Sequence, residues 1–243
     1  MKEHMNRQEL AIATMSLARD TQEEELLRKS LKSLSNLNIP IFLTDGGSNE
    51  HFLEYVKNLP NITLLKPKQG LWNQTLSSLT AAFESNSKFI LYTEPDKSDF
   101  FEQSVPTLIA ELLIEEKTGI VMAARSKKGF GSFPAFQQMT ETTINNCCKE
   151  LIELETDYVY GPFFINRSVV PYLKALDAGI GWGWRPYAFH IAKRLGYNVS
   201  AYTGDFLCPE GQREDSTKER IYRMKQMNQN IEGLILAGTA SIE

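Results

Sequence analysis

The segment FILYTEPDKSDF, residues 89–100, runs four mostly apolar residues into Thr93, Glu94, Pro95, Asp96 and Lys97. Side chains two apart on extended chain share a face, so Glu94 and Asp96 point to one side of a strand end. Carboxylates so paired suit a hard cation, Mg²⁺ or Mn²⁺, that keeps open positions for diphosphate oxygens. Such a metal would stabilise negative charge growing on a departing phosphate. The competing reading makes both acids caps of a helix beginning in DKSDFFEQS, because carboxylates favour a helix N-terminus. Spacing alone leaves both readings open.

Other segments carry groups of similar interest. In GWGWRPYAFH, Trp182, Trp184 and Tyr187 offer flat apolar rings to a sugar or glycerate-like moiety, or else form a buried cluster at a helix start. Arg185 brings a planar guanidinium suited to a phosphate or carboxylate. His190 is either a catalytic imidazole or an ordinary helix-face histidine. RSKKGFGSFPAF combines Arg125, Lys127 and Lys128 with two glycines, a composition that fits a mobile lid over a diphosphate as well as a solvent loop. TDGGS, residues 44–48, places Asp45 in a turn whose glycines adopt positive φ without penalty.

These groups need elements to hold them. ELAIATM, IPIFLTD, NITLLKP and KFILYTE read as strands. Between them, Leu27, Leu31 and Leu34 recur at helical intervals, and SNEHFLEYVKNL and QGLWNQTLSSLTAAFES are helical in pattern. Thr21 with Glu24, and Ser216 with Glu219, match the capping-box spacing. Strands alternating with helices imply a mostly parallel sheet with helices on both faces, an α/β fold. Ligands of such sheets sit beyond the carboxyl ends of the strands, where SLARD, DGGSNE, KPKQG and TEPDKSD all fall. Later strands are expected in GIVMAA, DYVYGPFFIN and YNVSAYT, and a helix in ETTINNCCKELIEL. The expectation is one domain spanning 1–243, with a change of character near residue 125.

Bulk composition narrows the function. A chain of 243 residues, 42% hydrophobic, buries a sizeable core. A net charge of -4 argues against a nucleic-acid partner. Cys147, Cys148 and Cys208 form no CxxC pair and fit a reducing compartment. With no signal-peptide core and no apolar run of membrane-spanning length, the expectation is a cytoplasmic protein without an integral membrane segment.

Taken in order, AIATMSLARD, FLTDGGSNE and QGLWNQTLSSLTAAFESNSKFILYTEPDKSDF resemble the nucleotide-binding half of family 2 glycosyltransferases with the GT-A fold. The resemblance covers roughly residues 10–125 and leaves about 126–243 as an acceptor half. It implies a nucleotide-diphosphate sugar donor, a small-molecule or glycan acceptor, and Mn²⁺ or Mg²⁺ as cofactor. By position it implies donor contacts from Thr14, Arg19, Asp45, Gly70, Asn73, Glu94 and Arg125, with Asp45 on the base. Asp96 and Glu94 would hold the metal, Glu94 replacing the usual first aspartate. A later loop often adds a third ligand, for which Glu210 is the candidate.

The second half departs from the family pattern. Where inverting members carry an acidic base, this chain has GWGWRP, and neither indole nor guanidinium can accept a proton. Asp96, Arg185 and His190 are then the catalytic candidates, with His190, Asp157 or Glu210 as alternative bases. Retaining mannosylglycerate and glucosylphosphoglycerate synthases carry a Trp-Gly element in a comparable place. The rivals are a degenerate GT-A module that binds without catalysis and a sugar nucleotidyltransferase. ATMSLARD lacks the Gly-rich loop of the latter.

Overall fold

The computed structural model describes residues 3–66, 68–209, 213 and 215–242. In chain order the strands are β1 (Glu3–His4), β2 (Leu10–Ser16), β3 (Ile41–Asp45), β4 (Ile62–Leu64), β5 (Phe89–Tyr92), β6 (Leu113–Ile114), β7 (Thr118–Arg125), β8 (Phe163–Asn166) and β9 (Asn198–Gly204). The helices are α1 (Thr21–Ser35), α2 (Glu50–Lys57), α3 (Leu71–Glu84), α4 (Val105–Glu111), α5 (Lys127–Gly131), α6 (Ala135–Ile152), α7 (Val170–Leu173), α8 (Trp184–Arg194) and α9 (Thr217–Thr239). The chain divides into two compact units, residues 1–116 with 162–171, and residues 117–161 with 172–243.

In the first unit, β4, β3, β2 and β5 lie side by side and all parallel. β8 adds an antiparallel strand to β5, pairing Tyr92 with Phe163 and Phe89 with Asn166. Leu10, Ala11, Ile12 and Ala13 are buried, as are all four residues of β5. Unbroken burial of this kind is what a sheet covered on both faces requires, and it explains why these strands read as apolar runs without alternation. Trp72, Thr75, Leu79 and Ala82 form the buried stripe of α3 against β2, β3 and β5. β3 lies on one side of β2 and β5 on the other, so the chain reverses direction across the sheet at β2. A reversal of this sort opens a crevice beyond the carboxyl ends of the two strands.

Local chemistry sets the helix starts. α1 is capped by Asp20, whose Oδ1 accepts from the Glu23 amide at 2.8 Å. Thr21 is therefore the first helical residue and not the cap, so the helix starts one position earlier than the capping-box reading implies, because aspartate outranks threonine as a cap. Asn49 caps α2 and Ser216 caps α9, the latter as expected.

The second unit pairs β7 and β9 in parallel, with a register shift between Thr118 and Ile120. Helices α6 and α8 pack with α9, which also lies against the 3₁₀ segment Ala178–Gly183. A Cβ on Gly183 would overlap the Gln229 carbonyl, and one on Gly233 would overlap the backbone of Gly183. The GWGW segment and α9 thus meet backbone to backbone, which only glycine permits. DYVYGPFFIN, read as one strand, is a strand only at Phe163–Asn166, since Gly161 turns the chain at φ +127. Among the described residues no helix is long and apolar enough to cross a membrane.

Candidate active site

Three loops of the first unit carry the polar groups at the carboxyl ends of β2, β3 and β5. Asp45 closes β3, is wholly buried and engages both of its oxygens. Oδ1 accepts from the amides of Gly47 and Ser48 at 2.7 and 2.6 Å, and Oδ2 from the hydroxyls of Ser16 and Ser48, both at 2.7 Å. The Ser48 hydroxyl also accepts from the Ala18 amide at 2.8 Å. One carboxylate therefore ties the loops after β2 and β3 into a fixed turn. In the structure the Asp45 carboxylate, expected on the donor base, accepts four hydrogen bonds from the chain itself.

The other expected donor residues of this unit are placed as follows. Thr14 is buried, its hydroxyl donates to the Thr93 carbonyl at 2.8 Å, and its own carbonyl accepts from Ser78 at 2.7 Å. Its side chain stitches β2 to the end of β5. Arg19 is solvent-exposed and pairs with Glu23 one turn along α1 at 2.6 Å. Asn73 donates to the Gln69 carbonyl at 3.0 Å. Gly70, at φ +88, opens α3 without a side-chain cap, so the first-turn amides of that helix are left to other acceptors.

The segment after β5 is different. Asp96 keeps 37% of its side chain exposed while Glu94 is buried, and the Lys97 ammonium lies 3.4 Å from Asp96 and 3.8 Å from Glu94. The helix after β5 opens at Ser98 and passes into a π turn at Phe100–Ser104, with Asp99 already in helical conformation and making no capping bond. The Lys97 carbonyl accepts from the Phe101 amide at 3.0 Å, so Asp96 stands just before the first turn while Glu94 is further from it, at the end of the strand. The Lys97 ammonium thus lies within ion-pair distance of both carboxylates.

In the second unit, Arg125 is 1% exposed and fully committed. Its Nε and Nη2 donate to Asp157 at 2.6 and 3.0 Å, and Nη2 also donates to Glu141 at 2.7 Å. Phe130 and Phe133 stack on the guanidinium at 4.8 and 4.4 Å. Burial opposes the charge, but the two carboxylates outweigh it and hold the guanidinium above the ordinary arginine range. The expected donor-binding cation is a structural one, and Asp157 is its counter-ion. The expected lid instead contains the short helix α5, capped by Ser126, with Lys128 paired to Asp205 at 2.9 Å.

The aromatic cluster divides. Trp184 and Tyr187 are core residues, which corrects their assignment to an acceptor. Trp182 is half-buried, donates from Nε1 to the Tyr222 hydroxyl at 2.9 Å and carries the Arg185 guanidinium at 4.7 Å over its ring. His190 is buried on α8, its ring bonded to the Leu234 backbone of α9, and burial lowers its pKa. It packs two helices together instead of presenting a base. Glu210 lies outside the described residues. Sequence reasoning did not single out Ser16, Ser48 or Lys97 as site residues, although the last two stand inside the motifs it examined.

No protein-family model matches the chain, and no curated protein matches it in sequence. Solved structures do match in shape. Glucosyl-3-phosphoglycerate synthase from Mycobacterium tuberculosis, in complex with phosphoglyceric acid, superposes with a TM-score of 0.64 at 13% identity, covering 96% of this chain and 81% of that one. The same enzyme with Mn²⁺, uridine diphosphate and glucosyl-3-phosphoglycerate gives 0.62 at 16% identity over 96% and 81%. Mannosyl-3-phosphoglycerate synthase from Rubrobacter xylanophilus gives 0.64 at 14% identity over 96% and 76%. The fold is GT-A.

Within a GT-A chain, the donor set at Glu94 and Asp96 is chemically suited to Mg²⁺ or Mn²⁺. Both ligands are hard carboxylate oxygens, and a metal that completes its shell with water and phosphate needs only one or two of them. Among the described residues no group of three or more His, Cys, Asp or Glu side chains could hold a metal by itself. The ion would therefore depend on a diphosphate to complete its shell.

Proposed function

We propose that the chain is a glycosyltransferase that takes a sugar from a nucleotide-diphosphate donor and passes it to a small or soluble acceptor, with Mg²⁺ or Mn²⁺ between Glu94, Asp96 and the diphosphate. What supports the reading is the Glu94–Asp96 pair at the carboxyl end of β5, with Asp96 partly exposed and the Lys97 ammonium near both acids. The structural neighbours bind uridine diphosphate with Mn²⁺ or Mg²⁺, which supports the donor class. When bound, the metal supplies a counter-charge for the leaving diphosphate.

The remaining work falls to the chain. Asp96, the more exposed of the two acids, and the buried Glu94 would hold the ion from two sides. Lys97 adds a positive charge beside the diphosphate. Asp45, Ser16 and Ser48 hold the backbone turn that borders the donor. Nothing here asks Arg125, Trp184 or His190 to touch substrate.

The test is a thermal-shift screen of UDP, GDP, CDP and ADP sugars with and without Mn²⁺, on the wild type and on Asp96→Asn. A ligand at a hundred times its Kd adds about 2.7 kcal/mol to apparent stability, a readily measured shift. We expect one nucleotide to shift the wild type in the presence of metal, and Asp96→Asn to lose that shift while melting normally alone. No shift with any nucleotide would overturn the reading in favour of a degenerate GT-A module. Pyrophosphate release from a nucleoside triphosphate and a sugar phosphate would overturn it in favour of a nucleotidyltransferase.

A further inference from the structure

Helix α9 carries more apolar side chain than its packing covers. Asn230, Gly233, Leu234 and Ala237 form its buried face, set against α6, α8 and the segment Ala178–Gly183. A helix packed on one side is ordinarily polar on the other. On α9, Ile221, Met224, Ile235 and Leu236 stand on the solvent side, and Ile235 is 56% exposed. Elsewhere among the described residues the large exposed apolar side chains stand singly along the chain, the ordinary condition of a protein surface.

The spacing of this outer stripe is regular. Seven residues make close to two turns, so positions seven apart share a line along the helix. Ile221, Asn228 and Ile235 are seven apart and all exposed, and Met224 with the half-buried Ile231 forms a second line three residues along. Together the two lines make an a/d pattern, the seam by which one helix packs along another. Asn228 sits at its centre, and a single asparagine at an a position specifies register at some cost in affinity.

The flanking charges decide which partner fits. Lys225 and Glu232 are both exposed, seven apart beside the seam, on either side of its centre. Against a second α9 running antiparallel about a two-fold axis near residue 229, Lys225 of each copy meets Glu232 of the other and Met224 of each meets Ile235. A parallel pair would instead bring Arg220 of one copy toward Lys225 of the other, like charge against like. The stripe is therefore complementary to itself in one direction, which is what an isologous contact requires.

We propose that the outer face of α9 is the contact surface of a two-fold symmetric pair of these chains, packed antiparallel, helix on helix. The face lies wholly within the second unit, so the inference is independent of the donor assignment at Glu94 and Asp96. One helix pair of this length falls toward the small end of specific interfaces, and self-association at about micromolar concentration follows.

Sedimentation equilibrium of the full chain, from micromolar to submillimolar concentration, tests this. The wild type should pass from monomer to dimer across that range. Ile235→Glu, at an exposed position outside the buried face, should stay monomeric while its circular dichroism matches the wild type. Lys225→Glu and Glu232→Lys each set like charges together twice and should weaken the dimer about tenfold. Mixing those two variants should restore dimers, because every charged contact of the mixed pair again joins unlike charges; the double reversal in one chain should restore them as well. Neither a folding defect nor a parallel arrangement produces that rescue. A wild type that stays monomeric throughout would overturn the proposal and leave the face to a different protein. A dimer that Ile235→Glu leaves intact, or charge variants that change nothing or fail to rescue one another, would overturn it too.

Discussion

Replacing Asp157 by alanine tests whether the centre of the second unit is organised by charge. Asp157 is buried and accepts from Arg125 three times, through the amide at 3.1 Å, Nε at 2.6 Å and Nη2 at 3.0 Å. It also accepts from the Val159 amide at 3.2 Å and Asn145 Nδ2 at 3.4 Å. The alanine variant leaves a buried guanidinium with Glu141 as its remaining carboxylate and strands two backbone amides. Removing one partner of a buried pair costs about 3–5 kcal/mol. Each stranded donor adds about 1–3 kcal/mol, discounted because the losses share one site and do not sum. A net loss of at least about 4 kcal/mol follows, against a total stability of about 5–15 kcal/mol for a typical domain. Urea unfolding followed by circular dichroism measures it, with Asp157→Asn as the companion that keeps an acceptor oxygen and the side-chain volume. The alanine variant should lose clearly more than the asparagine one. A loss below about 1 kcal/mol for Asp157→Ala would mean that water reaches Arg125 and that the buried network contributes nothing measurable.

Three further outcomes are expected. Lys97→Met should raise the affinity of the donor-free protein for Mn²⁺ a few-fold, the roughly 0.2–1 kcal/mol left to a partly exposed ion pair after screening, as read by paramagnetic resonance titration; unchanged or weaker binding would show that Lys97 does not compete with the ion. His190 has a folded pKa below its ordinary value of 6.5, because burial disfavours the imidazolium. Above pH 6.5 both states are neutral there; as pH falls, the unfolded chain takes up a proton that the folded chain refuses. Stability should therefore decline from about pH 6.5 down through the folded pKa, and His190→Gln should flatten that slope in urea midpoints taken across the range; parallel slopes would refute the assignment. For Gly233→Ala, helix propensity alone predicts a gain of about 1 kcal/mol, whereas overlap with Gly183 predicts a loss of about 1–3 kcal/mol. Gly238→Ala, whose added carbon meets His190 Cε1 at an ordinary 3.9 Å, should show the gain that propensity predicts.

The elements that position the donor site were legible because their signals are local. Continuous apolar runs announced the covered strands, leucines at helical spacing announced α1, and the order of strand ends placed TDGGS and TEPD together. What sequence could not supply was the partner of each polar group. Arg125 is paired with Glu141 and Asp157, which lie 16 and 32 positions further along the chain, so its cation looked available. Asp45 looked like a ligand for a base because its four donors come from a strand before it and a turn after it. The aromatic rings of GWGW suggested a substrate element, yet its glycines serve a close approach to Gln229 and Gly233 on a helix some fifty residues later. In each case the residue type was read correctly and its engagement was decided by a distant contact.

That distinction bears on which residues of the candidate site remain available for chemistry. A polar side chain whose hydrogen-bonding capacity is filled by the chain acts on a ligand only through the backbone it fixes; Asp45 and Thr14 are of this kind. Asp96 differs in keeping 37% of its side chain exposed, with the Lys97 ammonium 3.4 Å away. In the second unit the α9 positions 223, 226 and 230 recur at helical spacing, and Asn230 Oδ1 is buried without a hydrogen-bond partner. Reading Arg223, Gln226 and Asn230 as one face of a helix was open to the sequence; knowing that Glu141 opposite them is already neutralised was not.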